Sequence, residues 1–181
     1  MSLKPVKKSD QEKDWLKKRN DKKINIFTEY HLIVTEGTKT EPNYFEAIKL
    51  RINEKYKNRI SLEIRGDGNN TVGLFEDAKR IVESNQRQFS FRHVWIVYDT
   101  DDFPKDKIDS VPELCKKNST SDCRYHAIWS NQRIELWFLL HFGYYHSDLH
   151  RNDYFPKLDR WLKSISSGKY EKKSNGYVFS S

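Results

Sequence analysis

Four short apolar stretches recur along this 181-residue chain, and a helical pattern separates each from the next. Tyr30–Thr35 is apolar through Leu32-Ile33-Val34, and Ile60–Gly66 alternates with period two. His93–Asp99 is a nearly continuous apolar run, and Arg124–Ser130 reads as a fourth strand. Between the first two, Phe45, Ile48, Ile52 and Tyr56 recur at helical spacing, with Thr40 as the expected cap and Pro42 in the first turn. Phe75, Ala78 and Val82 share a face after Thr71, the second expected cap. A shorter helical piece is expected near Val111–Lys117. Arg133–Phe142 is apolar almost all round and predicts a buried helix. Strands alternating with helices imply one α/β domain, a parallel sheet of about four strands with helices on both faces. In such sheets the site lies beyond the carboxyl ends of the strands.

The domain is expected over residues 26–145, preceded by a basic arm (1–25) and followed by a polar, patternless extension (146–181). The natural chain is expected to continue past Ser181. The net charge is +7, from 33 basic and 26 acidic residues. Residues 1–25 carry nine Lys/Arg and four Asp/Glu, so the arm holds +5 and the rest about +2. Such an arm suits a phosphate backbone and equally a solvated tail. No run of about 18 apolar residues occurs, and no signal peptide is expected, since the first long apolar run lies far from the N-terminus. Cys115 and Cys123 sit in a polar stretch without CxxC spacing. They read as free thiols in a reducing cytoplasm.

The carboxyl ends carry the chemistry. The first strand runs into Glu36-Gly37 and the third into Asp99-Thr100-Asp101-Asp102. If these strands are neighbours, Glu36, Asp99 and Asp101 converge at one edge. Residues two apart on a strand point the same way, so Asp99 and Asp101 can face one ion. Clustered carboxylates repel unless neutralised, and hard oxygen donors suit Mg²⁺ or Mn²⁺. Gly37 leaves room for a phosphate and Lys39 a charge to pair with it. Asn131, Arg133 and Glu135 surround the fourth strand's end. Glu135 lies inside an apolar helix, where an acid belongs to the site or to a structural ion pair. The Gly66–Asn70 loop either cradles a phosphate or is a polar turn. Tyr144, Tyr145 and Tyr154 either stack bases or cover the core. His146 and His150 are four apart, but no Glu follows the first and Gly143 interrupts the helix upstream, so a zinc site is not expected.

Glu-Gly after the first strand with Asp-x-Asp after the third resembles the Toprim signature of topoisomerases, primases and related nucleases. The longer strings "TEGTKTEPNYF", "YDTDD" and "SNQRIELWFLLHF" resemble the RloB-like proteins, Toprim-type proteins of bacterial restriction and phage-defence loci. The resemblance spans roughly Leu32 to Phe142. It implies a Toprim-like (Rossmann-like) fold, Mg²⁺-dependent phosphodiester chemistry and a nucleic-acid partner, with a partner protein from a defence system. It casts Glu36, Asp99 and Asp101 as metal-site residues, with Glu36 as ligand or general acid-base group. Asp102 has no fixed role in the pattern and counts, with Glu135, as outer support. Gln132 stands where the resemblance leads one to expect proline. Walker A and dinucleotide fingerprints are absent. The competing readings are a non-catalytic nucleotide or nucleic-acid sensor and an Asp-x-Asp sugar-nucleotide transferase. Binding without turnover marks the first, and protection by sugar nucleotides the second.

Overall fold

The computed structural model describes residues 27–57, 59–68, 71–100, 105–145 and 149–165. The strands are β1 (Glu29–Thr35), β2 (Ile60–Gly66), β3 (Phe91–Asp99) and β4 (Arg124–Ser130). The helices are α1 (Thr40–Tyr56), α2 (Thr71–Asn85), α3 (Lys105–Asn118), α4 (Glu135–Leu140) and α5 (Arg151–Ile165). The strands form one parallel sheet in the order β2-β1-β3-β4, with Val34 opposite Ile96 and Asp99 opposite Ser130.

Side chains alternate across the sheet, and helices cover both faces. Leu32 and Val34 of β1 and Val94, Ile96 and Tyr98 of β3 are buried against Phe75, Ala78 and Val82 of α2 and Val111 and Cys115 of α3. Ile33, Leu62 and Val97 face the other way, under Phe45 and Ile52 of α1. A separate core forms where Ile134, Phe138 and Leu139 meet Tyr154 and Leu158 of α5.

Several local expectations differ from this arrangement. Thr40 is the first helical residue and Lys39 occupies the cap position, without a side-chain cap bond. A cap needs non-helical backbone angles, and Thr40 already has helical ones. Thr71 likewise opens α2 from inside. α3 is longer than the apolar signal near Val111, because the residues before Val111 are polar apart from Ile108. α4 has six residues rather than ten, and Trp137 and Leu140 are 49% and 44% exposed. The stretch after His146 holds α5, whose Tyr154 and Leu158 are completely buried. Its charges mask an apolar stripe at Tyr154, Leu158, Trp161 and Leu162. Among the described residues, no helix is long and apolar enough to cross a membrane.

Candidate active site at the carboxyl edge of the sheet

Because β1 and β3 are adjacent and parallel, their acidic ends meet. The Glu36 N–H donates to the Val97 carbonyl (3.0 Å), and Glu36 Oε2 accepts from the Asp99 N–H (3.2 Å). Glu36 is thus held against the next strand at the point where that strand delivers its own acid. Buried Thr35 fixes the turn, its Oγ1 donating to the Gly37 carbonyl at 2.8 Å.

The neighbouring loops are tied to this turn. From β2, the Asp67 N–H donates to the Thr35 carbonyl and the Gly68 N–H to the Glu36 carbonyl, both at 3.0 Å. The β2 loop packs so closely that a Cβ placed on Gly66 would lie 2.7 Å from the Gly37 carbonyl oxygen and 3.0 Å from Thr38 Cα. Only glycine fits there. From β4, the Ser130 carbonyl accepts from both the Thr100 N–H and its hydroxyl (3.0 Å each). That hydroxyl in turn accepts from the Gln132 N–H at 2.9 Å. Gln132 has φ +63°, which proline's ring forbids. Its Oε1 accepts the Arg151 N–H at 2.7 Å, satisfying one of the bonds left open at the start of α5. Gln132 therefore has a physical reason to stand where proline was expected.

The residues singled out from the sequence fall into three groups. Glu36, Gly37 and Asp99 come together. Lys39 is exposed at the start of α1, while Asn131 (exposed) and Arg133 (half-buried) occupy the turn after β4. Glu135 is completely buried at the start of α4. It is close enough to Tyr154 to help raise that phenol's pKa, after burial and Asp153. Asp101 and Asp102, with most of the histidine motif's first half at residues 146–148, lie outside the described residues. Among the described residues, no group of three or more His, Cys, Asp or Glu side chains is placed to hold a metal.

One acid escaped the sequence reading. Glu41, in the first turn of α1, is 8% exposed, and a Cβ on Gly37 would run into its carboxylate. The room that Gly37 leaves is taken by Glu41. Its signal was hidden because an acid in a helix's first turn is ordinary dipole complementation. Of the three tyrosines, Tyr154 is core, Tyr145 accepts a hydrogen bond from Trp161 Nε1, and Tyr144 is exposed. His150 immediately precedes α5, outside any helix. His141 Nδ1 donates to the Trp137 carbonyl (2.8 Å), leaving Nε2 to accept from the Tyr44 hydroxyl (3.4 Å).

A search of curated proteins and one of solved structures find no match to the chain. A family model described as RloB-like protein matches residues 31–180, a span that begins in β1 and includes every later strand and helix described above. With most of its length covered by that one model, the chain belongs to the RloB-like protein family.

Proposed function

We propose that the chain is a Mg²⁺-dependent nuclease-like protein of Toprim type that acts on nucleic-acid phosphodiesters, with Mn²⁺ as the alternative ion. The observation that supports it is the Glu36–Asp99 contact: two carboxylate residues brought together at the carboxyl edge by neighbouring parallel strands. This all-oxygen donor set fits a hard divalent cation. Glu36, Asp99 and Asp101 would hold the ion, and the Glu41 carboxylate lies against Gly37, next to Glu36 in the chain. A bound ion of this kind neutralises a scissile phosphate and lowers the pKa of a bound water. Lys39, just after Glu36, and Arg133, in the turn after β4, draw the phosphate toward the edge. Glu36, gripped through its Oε2, keeps a carboxylate aimed into the site as ligand or proton acceptor. The proposed setting is phage defence alongside a partner protein, as the resemblance to defence-locus proteins implies.

The test is incubation of end-labelled RNA and DNA with the protein and Mg²⁺ or Mn²⁺. Cleavage by the parent, abolished by EDTA and lost in Asp99→Asn and Glu36→Gln, is the expected result. Undiminished cleavage in both variants overturns the assignment. Metal-independent binding with no cleavage replaces it with the sensor reading.

A further inference from the structure

The acidic edge opens into an apolar trench. Val97 and Asp99 lie two apart on β3 and share a sheet face, the face that α1 covers. Beside α1, a groove of about 370 Å³ runs back from the edge over Val97. Its walls are Tyr44 and Ile48 of α1 and Ile134 and Trp137 after β4, with Ile128 of β4 on the same sheet face as Val97. Trp137 is half exposed (49%) although it is a large aromatic. The polar groups sit at the ends. Ser130 and Asn131 line the acid end, and Ser130 is the register partner of Asp99. At the wall, Trp137 Nε1 donates to the Tyr44 hydroxyl at 2.7 Å.

We propose that this groove is a nucleobase subsite, occupied by an unpaired base of a single-stranded nucleic acid whose phosphate lies at the acidic edge. The proposal rests on the nuclease reading for its orientation. Lys39 is exposed three residues after Glu36, and Arg133 lies between the lining residues Asn131 and Ile134, so an occupant anionic toward these cations and flat and apolar beyond them fits; a nucleotide joins both properties in one residue. A base held in a duplex is stacked and paired and does not enter such a trench, whereas a splayed base stacks on aromatic walls without regard to its identity. An apolar peptide would match the walls but give no use to the cations at the acid end.

The experiment compares single strands of about six nucleotides with an abasic strand of the same length and phosphate count. Anisotropy is read in EDTA, so that no cleavage intervenes. The parent is expected to bind the base-containing strand at least about fivefold more tightly, the lower bound of one stacked base. Trp137→Ala should erase that preference and leave abasic affinity unchanged, while Trp137→Phe retains most of it. Equal affinity of the parent for both strands overturns the proposal without any variant. So does a Trp137→Ala protein that keeps the full preference. Loss of self-association in Trp137→Ala, with no base preference in the parent, assigns the groove to a second copy of the chain and equally overturns it. Cleavage in Mg²⁺ is scored separately, so failure of the nuclease reading and failure of the subsite give different results.

Discussion

Three substitutions at Gln132 separate what its backbone does from what its side chain does. The residue sits at φ +63°, a conformation that costs a non-glycine residue about 1–2 kcal/mol. Its N–H bonds Thr100 Oγ1 and its Oε1 accepts the Arg151 N–H, each worth about 1 kcal/mol net. Gln132→Gly loses the side-chain bond and adds unfolded-state freedom, but relieves the backbone cost, so stability should stay within about 1 kcal/mol of the parent. Gln132→Ala loses the same bond and keeps the cost, a loss of about 1 kcal/mol. Gln132→Pro forbids the angle and removes the N–H as well, a loss of at least about 3 kcal/mol. For a chain of this size 1 kcal/mol moves Tm by about 2–4 °C. Thermal melts should therefore rank Gly near the parent, Ala a few degrees below and Pro about 6 °C or more below. A proline variant melting within about 2 °C of the parent would refute the left-handed turn and its tie to Thr100.

Two other changes probe the same sheet. Gly66→Ala forces a methyl group onto the Gly37 carbonyl and Thr38; it should cost about 1–3 kcal/mol in a melt and weaken cleavage beyond what that loss explains, since the displaced turn carries Glu36. His126 has its pKa lowered from 6.5, first by burial and then by His93 and Arg124, and His31 is lowered by burial and His93. Below pH 6.5 the unfolded chain takes up these protons more readily than the folded one. Stability should therefore fall as pH drops from 7 toward 5, and Tm measured across that range should fall less in His126→Gln; an identical slope would refute the coupling.

The parts of the fold legible in the sequence are those whose signal is local. The bounds of β2 and β4 follow from period-two or continuous apolar runs bordered by polar turns, and the structure has the same limits, Ile60–Gly66 and Arg124–Ser130. The meeting of Glu36 with Asp99 is not local. It requires β3, not β2, to lie on the side of β1 where the acids converge, and chain order says nothing of that; the sheet order supplies it. α5 was missed because its buried Tyr154 and Leu158 are diluted by Arg151, Asp153, Lys157 and Asp159. Glu41 is not marked locally, because an acid in the first turn of a helix is ordinary dipole complementation. Apolar residues on all sides of Arg133–Phe142 imply a longer, fully buried helix than α4 is, because Trp137 and Leu140 form the wall of a groove instead.

The Glu36–Asp99 contact joins two effects that one further pair of variants separates. As an acceptor for the Asp99 N–H, Glu36 ties β1 to β3. As a carboxylate of the proposed acidic cluster, it would raise the free energy of the ion-free fold. Glu36→Gln keeps an acceptor oxygen of the same reach and deletes the charge. Its melt in EDTA should therefore equal or exceed the parent's. Glu36→Ala deletes both, leaves the Asp99 N–H without that acceptor, and should lower the EDTA melt by about 1 kcal/mol, or about 2–4 °C. Divalent cation stabilises a fold in proportion to its preference for the folded site, so millimolar Mg²⁺ or Mn²⁺ should raise the parent's Tm and do much less for either variant. The contrast is what decides. If Gln and Ala variants melt alike in EDTA, the hydrogen bond adds nothing and the two strand ends are held by the remaining backbone ties alone. If Glu36→Gln keeps the parent's full metal response, Glu36 is not among the metal's ligands. The acid-base role would then be the one left for it, and its loss of cleavage would have to appear at unchanged metal affinity.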